Sequence, residues 1–382
     1  MPEESTTTEQ LLRRVHYFIS EGQIEEASQT LDKIQAENPQ QVQELAYLRA
    51  WNCTLQGRWD DAAHFILSND MVEEKINDIH ELGQTERRRR AHYLSMMGYV
   101  AINLHLYDEA ATHYLQCIKF LDERRMNDPR LRIKALSALG TAYTETGLYV
   151  AALAHYKTAL ELCGEDSGSL DLANIYHGLC ITYTHLRDFT QALHYGELAL
   201  KSYTEQAETA LEGRVRNLLG NIYYQKEEYD AASKNFTEAL GIAALVNSNI
   251  MVEINLASLA NARRAEGILD EAQRYCQRAL NYLDEHEEVF HTNNHVKGMT
   301  YLACGQVAQA RAEKAQGAEA SELLQEAKKW YQQSVDTLAS AQGTVALARA
   351  YRLLAQVLED TGLHDQAFAY WKRAYAVSSQ PE

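Results

Sequence analysis

Proline is scarce in this chain: Pro2, Pro39, Pro129 and Pro381 are all there are among 382 residues. None interrupts a periodic stretch, so long helices are permitted throughout. No alternation of apolar and polar residues runs long enough to argue for a sheet. No apolar run approaches the roughly 18 residues that read as a membrane span. The opening Met1-Pro2-Glu3-Glu4-Ser5 lacks the apolar stretch of a secretory signal, so no leader is expected. The six cysteines, at 53, 117, 163, 180, 276 and 304, contain no C-x2-C pair, which argues against a zinc or dithiol motif. Cys53, Cys117, Cys180 and Cys276 fall in slots that want a small apolar side chain and read as reduced packing residues, which implies a cytoplasmic setting. Basic charge is also in deficit. The net charge of −17 opposes direct contact of the body with nucleic acid.

Signatures of catalysis are missing as well. The sequence has no G-x4-G-K-[ST] loop, no G-x-S-x-G elbow and no H-E-x2-H helix. His286, His291 and His295 cluster, but their spacing matches no metal-binding helix. No enzyme activity, cofactor or metal is therefore expected.

What the chain does have is an alanine that returns every forty residues, at Ala152, Ala192, Ala232 and Ala272. A second small residue, or an aromatic, follows on the same helical face: Tyr156 and Ala159, Ala199, Phe236 and Ala239, Ala279. Twelve residues before each alanine stands Gly140, Cys180, Gly220 or Ala260, and three after those comes Tyr143, Tyr183, Tyr223 or Arg263. A fixed period of this kind is the mark of stacked, near-identical helical units. Outward extension gives nine units anchored at Ala27, Ala62, Ala110, Ala152, Ala192, Ala232, Ala272, Ala327 and Ala367. Two irregular spacings imply insertions near 70–90 and at 312–321.

Each unit reads as a first helix, a tight turn and a second helix. Asp128-Pro129 forms a capped helix start. Gly22, Gly57, Gly147, Gly267 and Gly362 mark the turn, where a left-handed residue is wanted. The expected organisation is a disordered start over 1–8 and irregular repeats over 9–125. A regular array over 126–285 and further repeats over 286–378, with the 312–321 insertion, precede a tail at 379–382.

The pairing of Leu139-Gly140 with Tyr143, and of Leu219-Gly220 with Tyr223, followed by the Ala-x3-Tyr/Phe-x2-Ala triplets, resembles the tetratricopeptide repeat. The forty-residue period resembles variants such as the arrays of kinesin light chain, spindle-orientation adaptors and bacterial peptide-sensing regulators. The resemblance implies an all-α, right-handed superhelical solenoid of about nine helix-turn-helix repeats. It also implies a concave groove lined by first-helix residues outside the packing stripe.

Those residues are Lys134 and Thr141 in the fourth unit and Asn174 and His177 in the fifth. Arg214, Asn217, Asn221 and Tyr224 follow in the sixth, then Asn261 and Arg264 in the seventh. Asn217 and Asn221 share one face at i, i+4, and carboxamides can both donate to and accept from a peptide backbone. The resemblance thus implies a non-enzymatic scaffold for a protein or peptide. The alternative is a peptide-responsive sensor acting on a transcription or response regulator. Solvated polar residues on a bare wall remain the plainer reading of the same pattern. Arg87–Arg90 reads as a solvated helix start beside acidic neighbours.

The last unit breaks the pattern of its second helix. Phe368 and Tyr375 share a face with no following unit to cover them, which implies an interface with a second copy or a partner protein. Trp371 takes the aromatic slot and is expected to point inward.

Overall fold

The computed structural model describes residues 7–20, 23–67, 84–123, 126–164, 169–291, 293–341 and 344–378. Gly22, most of the expected 70–90 insertion, the tail at 379–382 and the side chains of Arg87, Arg88 and Arg89 lie outside the described residues. What is described is all-α, with no strand.

The helices come as hairpins. The first three are α1 (Thr8–Ser20) with α2 (Ile24–Leu31), α3 (Pro39–Leu55) with α4 (Trp59–Leu67), and α5 (Gln84–Asn103) with α6 (Tyr107–Glu123). Next come α7 (Pro129–Glu145) with α8 (Tyr149–Cys163), and α9 (Leu170–His185) with α10 (Phe189–Glu205). Then follow α11 (Thr209–Gln225) with α12 (Tyr229–Leu245), and α13 (Asn249–Ala265) with α14 (Leu269–Glu285). A single-turn α15 (Glu287–Phe290) precedes α16 (Asn294–Ala312) with α17 (Gly317–Leu338), and α18 (Thr344–Asp360) with α19 (His364–Ser378) closes the series. The chain forms two compact units, residues 1–178 and 179–382.

Local chemistry explains where the helices begin and end. Asn38 and Asp128 cap α3 and α7 by accepting from the N–H of Gln41 and Leu131, each with a proline at the first helical position. The turn inside a hairpin uses one left-handed residue: Gly147 at φ 76° and Gly267 at φ 83°, but Arg187 at φ 60° and Glu227 at φ 63° in between. A long-range turn bond follows each, for example Leu148 N–H to Tyr143 O at 2.8 Å and Glu228 N–H to Tyr223 O at 2.9 Å. The recurring residue at 143, 183, 223 and 263 therefore supplies the carbonyl that closes the turn.

Within each unit the core follows the forty-residue motif. Ala152, Ala192, Ala232 and Ala272 are fully buried where paired helices cross. The aromatic slot is filled by a ring lying in a glycine hole. An added Cβ on Gly140 would stand 2.9 Å from the Tyr156 ring, and one on Gly220 would stand 2.6 Å from Phe236. Tyr156 is gripped from the next first helix too, since Gly178 offers it an even closer approach. Gly98 with Tyr114 and Gly305 with Tyr331 repeat the device. The spacing from glycine to ring is sixteen residues in the regular hairpins and twenty-six between Gly305 and Tyr331. The ten extra residues lengthen α16 and α17 to 19 and 22 residues.

Trp371 departs from expectation. It is only half-buried, and its indole N–H donates to Glu359 Oε1 at 3.0 Å. Its own first helix carries Ala355 where α5, α7, α11 and α16 carry glycine, and no later helix among the described residues completes the hole. Phe368 and Tyr375 are 65% and 76% exposed on the same helix.

Candidate functional site

In the second unit the first helices α11, α13, α16 and α18 pack on one another in order. Residues at equivalent register positions on these helices form a polar wall. On α11 these are Arg214, Asn217, Asn221 and Tyr224. Arg214 is exposed and the other three are half-buried. On α13 they include Asn261 and Arg264, both half-buried.

The amides of this wall form a ladder. Asn221 Nδ2 donates to Asn217 Oδ1 at 3.1 Å, and Asn217 Nδ2 donates to Asn255 Oδ1 of α13 at 2.9 Å. Asn255 is buried and anchored through its own Nδ2 to the Met251 carbonyl at 2.7 Å. Asn217 is thus committed at both ends of its amide, and Asn221 keeps its carbonyl oxygen for other partners. The ladder holds these side chains in single rotamers, so less rotamer entropy remains to be lost on binding.

Next to the amides stand guanidinium groups. Arg264 donates to the Tyr224 hydroxyl at 3.1 Å across the α11–α13 step. Farther along, the Tyr331 hydroxyl donates to Gln309 at 2.7 Å, and Arg264 and Arg349 both act on that phenol electrostatically, so cationic groups converge here from α13 and α18. Arg349 also donates to Gln306 at 3.5 Å. Among the described residues Arg214, Arg264, Arg349 and Arg352 have no carboxylate within ion-pair distance, whereas Arg216 is held by Glu212 and Glu238. In a chain of net charge −17, these four guanidiniums without a carboxylate partner stand on one layer of helices.

In the first unit the corresponding residues are less convergent. Lys134 and Asn174 are exposed and His177 is half-buried. Thr141 is largely spent on structure, since its hydroxyl pairs with the Tyr156 hydroxyl at 2.9 Å and the Ser137 carbonyl at 3.3 Å. No three residues among those described could together hold a metal ion. His286, of the histidine cluster, stacks on Tyr282 with ring centroids 4.1 Å apart. Among the described residues no helix is long and apolar enough to cross a membrane.

One buried group was not foreseen from the sequence. Glu253 of α13 is fully buried, and its Oε1 accepts from the Thr300 hydroxyl of α16 at 2.6 Å. Its Oε2 is enclosed without a partner. Burial pushes the carboxyl up to about 7, against the opposing pull of the Thr300 hydrogen bond. The equivalent positions on α11 and α16 are Gly213 and Gly298, both filled by neighbouring side chains.

Comparison with known proteins agrees with this architecture. Two tetratricopeptide repeat models match, one over residues 135–169 and the other over 171–244. No curated protein matches the sequence significantly. Several solved structures share the fold along nearly the whole chain. The apo form of RapI is 13% identical, covers 97% of each chain and superposes with a TM-score of 0.68. The apo quorum sensor NprR from B. thuringiensis is 14% identical, with 97% of this chain and 98% of that one covered and a TM-score of 0.67. NprR in complex with its cognate peptide NprX is 15% identical over 92% and 99% of the chains, at a TM-score of 0.57. Aspartyl phosphate phosphatase F from Bacillus subtilis is 11% identical over 100% and 96%, at a TM-score of 0.60. At these identities the likeness is one of fold. The repeat motif, the glycine holes and the hairpin series agree with it: tetratricopeptide repeats are matched over 135–169 and 171–244, and the fold of the chain is similar to that of RapI and NprR.

Proposed function

We propose that the first-helix wall of the second unit binds an extended peptide segment bearing a carboxylate, and that the protein acts by this binding. The observation that carries the reading is the set of unneutralised guanidiniums, Arg214, Arg264, Arg349 and Arg352, beside an ordered asparagine ladder in an acidic chain. Arginine pairs with a carboxylate through two parallel hydrogen bonds, and carboxamides satisfy peptide N–H and C=O groups. The complex of the similarly folded NprR with its peptide NprX favours a sensor over a passive scaffold. In the first unit, taken by itself, Lys134, Thr141, Asn174 and His177 are proposed as peptide contacts of that unit.

The test is selection of peptides from a random library on the full chain, followed by calorimetry. Arg264→Gln and Arg349→Gln are each expected to weaken the selected peptides about tenfold, with helicity unchanged. Equal affinity in both variants would overturn the assignment of the wall. A peptide-dependent change in the solution scattering curve separates sensor from scaffold. Because one similar fold is a phosphatase, acetyl phosphate serves as the probe of catalysis, and no release above the spontaneous rate is expected.

The open face of α19 belongs to the same proposal as a contact with a second copy. Asp365, Phe368, Lys372 and Tyr375 form one exposed stripe that carries both charge signs, as a self-complementary two-fold contact requires. Sedimentation of the wild type and of Phe368→Glu/Tyr375→Glu is expected to show a dimer and a monomer respectively. A monomeric wild type at tens of micromolar would remove this contact.

A further inference from the structure

The second helices of the same unit border a separate feature, a cavity of about 550 Å³ open to solvent between α12 and α14 over the start of α13. Its floor is apolar, made by Leu240, Ala243, Val252 and Leu256. Its rim is polar: Arg278 and Asn281 of α14 line it at one end, and Glu285 and His286 line it a turn farther along.

The forty-residue register shows why the space exists. The positions equivalent to Ala243 are Tyr203 one repeat earlier and Leu283 one repeat later. Tyr203 is fully buried and Leu283 is 5% exposed, so both neighbours fill this place with a large side chain. Ala243 is buried yet ends at a methyl group. Tyr282 does not close the gap. It is held aside by donating to Asn249 Oδ1 at 2.8 Å and by stacking on His286. Arg278 lies over the Tyr275 ring at 5.5 Å and has no carboxylate within ion-pair distance among the described residues.

We propose that this cavity is a second binding site, for a small amphipathic anion. An aromatic or branched aliphatic body lies against Leu240, Val252 and Leu256, and a carboxylate or comparable anionic head meets Arg278. The volume falls within the range of small-molecule sites, and the combination of apolar floor with a few convergent polar groups is their usual construction. The guanidinium is already stacked on an aromatic ring, so little freedom is lost when it takes an anion.

The probe is 8-anilinonaphthalene-1-sulfonate, an aromatic body with an anionic head, titrated into the full chain and followed by fluorescence. Saturable one-site binding is expected in the wild type. Ala244 lines the cavity from an exposed position, so Ala244→Trp blocks the mouth without repacking the core. That variant is expected to lose the saturable phase. Arg278→Gln is expected to weaken it about tenfold. Ala243→Tyr restores the residue type of the preceding repeat and gives an independent filling variant. Absence of a saturable phase in the wild type would overturn the site. So would unchanged affinity in Ala244→Trp and Arg278→Gln at unchanged melting temperature.

Discussion

The hairpin α11–α12 and the hairpin α13–α14 are built on one forty-residue plan and differ inside it. The first seats the Phe236 ring in the hole left by Gly220, whereas the second pairs Ala260 with Cys276 at the same two places. The first has Gly213 where the second buries Glu253. The first turns through Glu227 and the second through Gly267. Spacing therefore fixes helix length and turn position, while volume is shared between facing residues and can be divided in more than one way. The variable positions are where the second unit departs from simple packing.

The division of volume can be broken most forcefully. Phe236→Cys is expected to cost roughly 2–4 kcal/mol by opening a cavity, and Gly220→Ala roughly 1–3 kcal/mol by overpacking against the ring. The double variant reproduces the pair found one repeat later and should cost clearly less than the sum. Urea titrations of all four proteins complete the cycle. Additive costs would mean that the two hairpins do not share one packing rule.

The buried carboxyl offers a comparable effect with a distinct pH signature. Glu253 keeps its proton up to about 7 in the folded chain, against an ordinary value of 4.5. The native state thus binds the proton more tightly than the unfolded chain does. Its stabilising contribution is complete below 4.5 and is lost as pH rises through 4.5 to about 7. The expected loss is on the order of 3 kcal/mol. Glu253→Gln should remove this window. The stability difference between wild type and variant, measured by denaturation from pH 4 to 8, is the readout, and a flat difference would show that Glu253 is not held neutral.

The turns give the smallest effect. A side chain with left-handed backbone costs roughly 1–2 kcal/mol, offset in part by the greater freedom of glycine in the unfolded chain. Glu227→Gly should therefore raise stability by up to about 1 kcal/mol, and Gly267→Ala should lower it by about the same amount. Thermal melts that moved in the same direction for both would defeat this comparison.

Much of the hairpin series was legible because its signals are local. Ala152, Gly140 and Tyr143 announce a crossing, a hole and a turn within one stretch of sequence. Beyond a disturbance the register failed. The ten extra residues between Gly305 and Tyr331 concealed the glycine of α16, so Gln309, Arg349 and Arg352 were not read as members of the wall. Asn217 and Asn221 could be placed on one face by helical spacing. Their partner Asn255 could not, since it stands at the position of apolar Val215. Glu253 looks in sequence like any solvated helix carboxylate, because its burial depends on α16, forty-odd residues later. Trp371 was misread because a slot is a hole only when the facing helix carries glycine.

The pairing of ring and glycine also bears on how the chain acquires its structure. Gly140 meets Tyr156, and Gly220 meets Phe236, sixteen residues downstream in each case. In these two hairpins a tight internal fit is thus available as soon as that short stretch exists, and the still closer approach of Gly178 to Tyr156 is added when the next hairpin is made. Contacts so close in sequence favour rapid assembly. During synthesis each new hairpin can close on itself and dock on the one already formed, so the array can grow in the order in which it is translated.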